Sequence, residues 1–424
     1  MKKLFITLAA AMAFAACSED EPVAPAAWEQ LPTAPISGEN ATLTVNGQSG
    51  TSGSVQLTAA SATQGTLLLE NVLPGYAAIE MEVTLTERPD GTFDLAGEKG
   101  LTTPPAMITK AADEPVIFQV SAAGNISPEG KASITLTSVL STEAQGGLTG
   151  AWDLLKKVTV DDYGALLTAP VLATWSAKDL EQPNAEQLAT TVRTIASTLL
   201  YQFLHSVTFS KEGTATAEYR KLGEEFDFQS EIMNCMFYGF EYDEDYNPIG
   251  IADLHPDIPW LDSPKNLLYW YVKDGYLYVV PDIAAILAQI KEDSGSDVSG
   301  GQSGITGLLT SLGEYGINVE ALLPLVMQWM ETGIPLKYEK TADGLKLYAD
   351  KEMCRPVIEA LLPALPKLDE KIAELANSED PMMQTLPTML PTMLGVENLA
   401  SLKTIWENNT DQFEISLHFV NKPL

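Results

Sequence analysis

The chain has 424 residues, 45% of them hydrophobic, so it is long and apolar enough for two or three domains with sizeable cores. Its 25 Lys and Arg residues stand against 57 Asp and Glu residues, which gives a formal net charge of −32. Phosphate backbones repel a polyanion of this size, which excludes nucleic acid as an expected partner. Anionic membrane surfaces also repel it unless a covalent anchor supplies the attraction.

The N-terminus has the pattern of an export signal. Lys2 and Lys3 precede the apolar run LFITLAAAMA, and small residues stand immediately before Cys17. The apolar run is too short to span a bilayer as a helix. This segment resembles a bacterial lipoprotein signal, which implies removal of residues 1–16 and lipidation of Cys17. The alternative is an ordinary secretion signal with an incidental cysteine.

Acidic residues follow the cysteine directly. Glu19, Asp20 and Glu21 resemble the acidic export signal by which Bacteroidetes lipoproteins reach the outer face of the outer membrane. The rest of residues 17–36 is rich in Pro and Ala, which predicts a semi-extended tether. We therefore expect a protein that is anchored to the outer membrane by its N-terminal lipid and exposed at the cell surface.

Residues 37–145 read as a series of short strands. Segments such as ATLTV, SVQLT and IEMEVTLT alternate apolar and polar residues at the period of a half-buried strand. Turn signals separate them, including Pro-Asp-Gly after IEMEVTLTER and Gly124-Asn125 before the last strand. About seven strands with short connections predict a β-sandwich or a small β-barrel.

A family resemblance covers this region. The segment LLLENVLPG and the following IEMEVTLTE are similar to the calycin-like domains of Bacteroidetes lipoproteins of unknown function. The resemblance implies a calycin-type barrel over residues 37–145 and the binding of a lipid or another apolar ligand. It assigns no activity to any particular residue.

Residues 146–424 are predicted to form an α+β lipocalin-like domain, an antiparallel sheet or barrel with inserted helices. Its first segment, GLTGAWDL, resembles the start of lipocalin-type barrels, in which the tryptophan, here Trp152, closes one barrel end; a tryptophan on any core strand fits equally well. Two hairpins, turning at Asp274-Gly275 and at Asp343-Gly344, are each followed by a helical segment, so one hairpin–helix unit is used twice. The whole chain is thus predicted to be mainly β with an α+β C-terminal part.

Apolar helical segments within 319–394 are the first candidate for a binding site. Pro363 and Pro366 are expected to break one of them, and the prolines of PMMQTLPTMLPTMLG to prevent a single continuous straight helix. Methionine-rich apolar surface adapts to ligands, so these segments are candidates for a lid over an apolar ligand. The alternative is that they pack as part of the hydrophobic core. The candidate lid residues are Leu323, Met327, Trp329, Met330, Leu365, Met382, Met383, Met389 and Met393.

The acidic and aromatic stretch 241–262 is the second candidate. Its aromatic rings could stack on sugars, with the neighbouring acids accepting hydroxyl hydrogen bonds. This predicts a glycan-binding surface made by Tyr242, Tyr246 and Trp260.

The same stretch contains a weak calcium candidate. Asp243, Asp245 and Asn247 have the spacing of oxygen ligands, but Pro248 and Leu254 stand where an EF-hand loop needs Gly and Glu. A solvated surface loop is the favoured interpretation, and no metal is predicted here.

The cysteines and histidines indicate no metal-binding or catalytic site in the sequence. His205, His255 and His418 are far apart in the sequence, so zinc is not expected. Cys235 and Cys354 could pair, although two free thiols are favoured because Cys235 lies in an apolar stretch. The chain has no G-x-S-x-G nucleophile motif, no P-loop and no dinucleotide-binding fingerprint, and it predicts no cofactor.

These observations favour a non-catalytic, lipid-anchored envelope protein that binds an apolar or amphipathic, lipid-like ligand. The alternative is a surface glycan-binding or adhesion module. A hydrolase is the third interpretation, because two carboxylates suffice for a glycosidase and the 57 acids single out no pair.

Overall fold

The computed structural model describes residues 25–49, 53–103, 114–178, 185–221, 228–294, 316–377 and 381–421. The predicted signal segment, Cys17 and the acids that follow it lie outside these ranges. Within the described residues the fold is mainly β, and its α-helices all lie after residue 184. This confirms the fold class expected from the sequence.

Residues 41–140 form an eight-stranded sheet that curls into a half-barrel. Its order is β2-β1-β8-β7-β6-β5-β4-β3, with β1 parallel to β8 and the other neighbours antiparallel. Before β1, Ile36 forms a bridge with Val55 at the opposite sheet edge, so a short stretch of chain connects the two edges. The strands are β1 (Ala41–Val45), β2 (Gln48–Ser49), β3 (Ser54–Ala59), β4 (Gln64–Leu73), β5 (Tyr76–Glu87), β6 (Phe93–Leu101), β7 (Phe118–Ile126) and β8 (Ala132–Leu140).

One expected turn in this sheet is wrong. Gly124 and Asn125 lie inside β7, and the chain turns after Ile126. A Cβ on Gly124 would lie 2.0 Å from the carbonyl oxygen of Ser133 on β8. The glycine is therefore required by the close approach of two strands, which in a sequence has the same appearance as a turn signal.

The C-terminal half contains a closed antiparallel barrel. Its ring of eight strands runs β9-β13-β14-β18-β19-β20-β21-β22, and β22 pairs back onto β9 to close it. The strands of this half are β9 (Gly150–Leu154), β10 (Thr159–Val160), β11 (Leu166–Thr168), β12 (Val171–Ala177), β13 (Leu204–Phe209), β14 (Thr214–Tyr219), β15 (Phe240–Tyr242), β16 (Pro248–Ile251), β17 (Leu261–Asp262), β18 (Leu268–Lys273), β19 (Tyr276–Pro281), β20 (Ile334–Lys340), β21 (Gly344–Asp350) and β22 (Thr410–Asn421).

The two ends of this barrel differ in their connections. At one end, which we call the closed end, hairpins turn tightly after β13, β18 and β20, and residues 141–148 lead into β9. Asp274 and Gly275 both have positive φ, 51° and 80°, as a two-residue hairpin turn requires. At the other end, the helical end, the long connections 155–203, 220–267, 282–333 and 351–409 carry every described α-helix.

The α-helices of the helical end include both copies of the predicted hairpin–helix unit, since α3 follows β18–β19 and α5 follows β20–β21. The predicted break also occurs, because a short 3₁₀ turn, Leu362–Ala364, separates α5 from α6. The helices are α1 (Ala185–Phe203), α2 (Phe228–Tyr238), α3 (Ile283–Ser294), α4 (Val319–Thr332), α5 (Lys351–Leu361), α6 (Leu365–Glu374), α7 (Pro381–Leu394) and α8 (Ser401–Thr404).

The expectation for the Pro/Met segment is wrong. Helix α7 is one continuous helix with Pro387 and Pro391 inside it. Prolines four residues apart lie on the same side of a helix, so the hydrogen bonds they remove are confined to that side. The remaining sides of α7 keep their backbone hydrogen bonds, and Thr392 Oγ1 adds one to the carbonyl of Thr388 at 2.9 Å.

The half-barrel and the closed barrel share one continuous core. At the closed end, the amide of Leu140 donates to the carbonyl of Lys211 at 2.8 Å, and the amide of Val272 donates to that of Ala144 at 2.7 Å. Lys273 Nζ also donates to Thr103 Oγ1 at 2.6 Å. The half-barrel therefore packs beside the closed end and leaves the helical end to the inserted helices.

Candidate functional site

Large side chains fill the barrel at its closed end. Trp152 is among them, and its Nε1 donates to the carbonyl of Leu148 at 2.8 Å, in the segment that leads into β9. Five interior residues are each at most 4% exposed: Trp152, Phe209, Trp270, Leu277 and Phe419. A candidate binding site must therefore be sought nearer the helical end.

The apolar face of the barrel continues beyond the ring of strands. Phe413 and Ile415 alternate along β22 onto the same face as the interior residue Phe419. At this point β22 pairs with β12, where Trp175 lies opposite Phe413 and Ala173 opposite Ile415. Cross-strand partners share a face, so β12 extends the barrel interior towards the helices.

A cavity of about 220 Å³ lies on this extended face. Helices α1, α5, α6 and α8 cover it, and every residue around it is apolar or aromatic. Its lining residues are Ala173, Trp175, Ala189, Val192, Ile358, Leu361, Leu362, Leu365, Leu402, Trp406 and Phe413. We call it the helical-end cavity.

Three aromatic rings form one wall of this cavity. The Trp406 ring meets Phe413 edge-on at 5.3 Å and Trp175 at 6.1 Å, and Trp175 meets Phe413 at 5.4 Å. The indole N–H of Trp175 donates to Thr410 Oγ1 at 2.8 Å, and that hydroxyl donates to the carbonyl of Ile405 at 2.9 Å. The polar atom of Trp175 is thus satisfied, so its ring contributes only apolar surface to the cavity.

The local backbone explains how Trp406 reaches the wall. Ile405–Asn409 form a single π-helical turn between α8 and β22. Such turns are rare and occur often at functional sites, because the extra residue changes the direction of the side chains that follow. Asp369 of α6 holds the start of this region, accepting hydrogen bonds from the amides of Leu399 and Ala400 at 2.8 and 2.9 Å.

Polar side chains of α1 fix that helix against the edge of β12. Ser197 Oγ accepts from the amide of Val171 at 3.1 Å and donates to its carbonyl at 2.9 Å. Arg193 Nε donates to the carbonyl of Ala173, and its guanidinium pairs with Glu186 at 3.1 Å. These bonds satisfy part of an otherwise open sheet edge and place Ala189 and Val192 over the cavity.

Of the residues predicted to form a lid, one lines the cavity among the described side chains. Leu365 lines it, whereas Met330 of α4 packs with Leu322 and Ala360 in a separate small cluster. Leu323 is 39% exposed, and Met327, Trp329 and Met389 are half-buried. The side chains of Met382, Met383 and Met393 lie outside the described part of the structure.

Most of the cavity wall was not predicted. Its aromatic side comes from β12 and from the consecutive π-turn and β22, which follow β12 by more than two hundred residues in the chain. Only the leucines around Pro363 belong to a segment that the sequence analysis singled out as apolar.

A second cavity, of about 290 Å³, lies where the half-barrel meets the closed end. Ser141, Glu143, Lys273 and Asp274 are among its lining residues. Charged and polar groups therefore interrupt its surface, which makes it a poorer match to an apolar ligand than the helical-end cavity.

The predicted glycan residues lie in two different settings. Tyr242 and Tyr246, in and beyond β15, are 52% and 85% exposed. Trp260 is instead half-buried, stacked on His205 at 5.2 Å and 4.0 Å from the guanidinium carbon of Arg220. Its ring therefore already contacts two side chains of the protein.

The calcium candidate forms a turn of the β15–β16 hairpin. Asp243 Oδ1 accepts from the amides of Asp245 and Asn247 at 3.0 and 2.8 Å, and these bonds lower the pKa of Asp243. The Asn247 side chain donates to the same carboxylate at 3.2 Å. The oxygens of Asp243 thus stabilise the turn, which accounts for the spacing of these residues.

Cys235 and Cys354 are both free thiols. Burial, together with the nearby Glu231, raises the pKa of Cys235 to about 12. The preference for free thiols over a disulfide between Cys235 and Cys354 is confirmed.

Comparison of the chain with protein-family models, curated proteins and solved structures finds no match. Among the described residues, no helix combines the length and apolarity needed to cross a membrane.

Proposed function

We propose that the protein is a non-catalytic, lipid-anchored envelope protein that binds an apolar or amphipathic ligand in the helical-end cavity. The observation that carries the proposal is the wholly apolar lining of a cavity that continues the barrel interior. Closed up-and-down barrels of eight strands are a common architecture for holding one small ligand. The arrangement of a filled closed end and a helix-covered opposite end supports the same assignment.

The size of the cavity favours a slender ligand. An apolar cavity of about 150 Å³ suffices for benzene, whereas pockets for drug-sized molecules start at about 300 Å³. At about 220 Å³ the helical-end cavity fits a segment of hydrocarbon chain. Leu361 lines the cavity and is 40% exposed, so its wall reaches the surface and a polar headgroup can stay in water.

Envelope anchoring rests on the N-terminal sequence. The lipoprotein-type signal before Cys17 and the acids after it support acylation and export to the cell surface. Radioactive palmitate should label the protein, and the Cys17→Ser variant should lose both the label and the membrane association. Replacement of Glu19, Asp20 and Glu21 by Ala should protect the protein from external protease.

Filling the cavity tests the binding proposal. Ala189 is 1% exposed and lines the cavity, so Ala189→Leu places three additional carbons inside it. If these displace about three ligand methylenes at ~0.8 kcal/mol each, affinity falls roughly 50-fold. Binding is measured with a fluorescent fatty acid, and native ligand is sought by mass spectrometry of organic extracts.

The matched control is Ala373→Leu, the same substitution at an exposed position of α6. It should bind the probe as the natural protein does. The proposal is refuted if the purified protein binds no fatty-acid probe and releases no apolar molecule. It is also refuted if Ala189→Leu binds as tightly as Ala373→Leu.

Glycan binding is the second candidate, favoured by the exposure of Tyr242 and Tyr246 on one hairpin. Exposed tyrosine rings offer flat surfaces for sugar stacking. A glycan array probed with the protein should then lose its signals with Tyr246→Ser, while fatty-acid binding stays unchanged. An array without signals removes this candidate.

A further inference from the structure

Three metal-ligating side chains converge on the outer wall of the barrel. Asp153, His205 and Glu218 come from β9, β13 and β14, which are neighbouring strands. In their register Asp153 lies opposite Ser206, and Ser206 lies opposite Glu218. One carboxylate oxygen from each acid and one ring nitrogen of His205 all lie within 4.8 Å of one another.

A β-bulge brings the histidine to this face. The register of β13 against β14 shifts between Leu204 and Ser206, so His205 is the additional residue. Strict alternation would place His205 on the same face as Val207, which lies opposite Trp152 of the barrel interior. Bulges redirect single side chains in this way and occur often beside functional sites.

The His205 ring is held by packing. It stacks on Trp260 at 5.2 Å with an angle of 30° between the rings. Arg220 packs on Trp260 in turn and forms a two-bond ion pair with Asp253, at 2.8 and 3.0 Å. These contacts fix the plane of the imidazole.

One ring nitrogen of His205 has no other assigned role. Its Nδ1 is shut off from solvent and has no hydrogen-bond partner among the described residues. Leaving a buried polar atom without a partner is unfavourable, so this nitrogen is suited to a ligand that the chain itself does not supply. The Glu218 carboxylate of the same cluster is oriented by Ser206 Oγ, which donates to Oε2 at 2.5 Å.

We propose that Asp153, His205 and Glu218 bind a first-row divalent metal ion, of which Zn²⁺ is the test case. One imidazole and two carboxylates form a nitrogen and oxygen donor set that suits Zn²⁺, and three protein ligands leave the fourth position to water. At metal–ligand distances of about 2.0–2.1 Å, tetrahedral ligand atoms lie roughly 3.3 Å apart. Small side-chain rotations from separations of at most 4.8 Å bring the three atoms to that geometry.

The site lies apart from the helical-end cavity, because its residues face outward from strands whose opposite face fills the barrel. An ion there joins β9 to β13 and β14, and β9 is the strand on which the barrel closes. No sequence pattern indicated this site, since its ligands are distant in the chain and have no metal-binding spacing.

Zinc titration of the full-length protein tests the proposal. The protein is first treated with EDTA, which is then removed. Calorimetry should then show that one Zn²⁺ ion per molecule binds tightly, in addition to the weak Zn²⁺ binding expected of a polyanion. His205→Gln should lower the affinity for that ion more than about tenfold, since even groups that only orient a ligand cost 10–100-fold. Glu218→Gln should do the same while keeping the shape of the side chain and its bond to Ser206.

The matched control is His255→Gln. His255 also has a carboxylate partner, Glu231 at 2.8 Å, but belongs to a separate pair. This variant should still bind one Zn²⁺ ion tightly. As a second measurement, Co²⁺ should give visible absorption bands with the natural protein that are absent with His205→Gln.

Two results overturn the proposal. One is that the natural protein binds no Zn²⁺ ion tightly. The other is that folded His205→Gln and Glu218→Gln bind one Zn²⁺ ion as tightly as the natural protein does. Circular dichroism of the metal-free variants establishes their folding. If His205→Gln does not fold, the affinity of Glu218→Gln and the Co²⁺ spectrum of the natural protein decide the question.

Discussion

Removing the Trp406 ring should destabilise the protein strongly, because this ring joins the cavity wall to the core. Trp406 is 3% exposed and packs edge-on against Trp175 and Phe413. Truncation of a buried tryptophan to alanine costs about 3–5 kcal/mol, of which each edge-to-face pair supplies about 0.5–1.5. The ring already borders a cavity and lacks packing partners on that side, so we expect the lower part of the range, about 3 kcal/mol.

Urea unfolding followed by far-UV circular dichroism measures this loss without depending on tryptophan fluorescence. Trp406→Phe keeps an aromatic edge towards both neighbours and should lose less than half as much. Trp329→Ala is the control, because Trp329 is half-buried on α4 and lies outside the cavity wall. The reasoning is refuted if Trp406→Ala loses less than about 1 kcal/mol, or no more than Trp329→Ala.

Two further predictions concern titratable groups. The hydrogen bonds from Arg220 lower the pKa of Asp253, so this pair stabilises the fold above the unfolded pKa of about 3.9 and less as pH falls through the lower folded value. Asp253→Asn should therefore cost about 1 kcal/mol at pH 7, because the carboxylate is one-third exposed, and progressively less as the pH falls through the folded pKa of Asp253; a loss that stays constant in acid would contradict this assignment. The pKa of Cys235 is about 12, so roughly one molecule in ten thousand carries the reactive thiolate at pH 8. Iodoacetamide should therefore modify Cys235 only after unfolding. Rapid modification of the native protein would disprove the burial of this thiol.

Local patterns predicted the strands and hairpins well. Alternating segments such as ATLTV and IEMEVTLT became β1 and most of β5, and the hairpin turn at Asp274-Gly275 has the two positive φ angles that its residues favour. The break after Leu361 followed from Pro363. In each case the physical cause acts within a few residues, so it is visible in the sequence itself.

The two wrong expectations concern residues whose effect is not set by residue type and the nearest neighbours in the sequence. Gly124 signals a turn by residue type, yet its role is set by Ser133 on the neighbouring strand. The prolines of α7 signal a break, yet their common side leaves the rest of the helix intact. Residue type alone does not determine whether a glycine or a proline acts through the local backbone or through its neighbours.

Local patterns predicted the strand-rich fold class and the hairpin–helix units, and the structure contains both, because alternation and turn chemistry act within a few residues. The lipoprotein-type N-terminus also follows from local composition and stays a prediction. The closing of the barrel depends on tertiary pairing, since β9 and β22 are far apart in the chain and meet only as hydrogen-bonded neighbours. The binding candidates depend on tertiary structure in the same way. The helical-end cavity and the cluster of Asp153, His205 and Glu218 are each assembled from distant segments, and the cluster further depends on one bulge that redirects a single histidine.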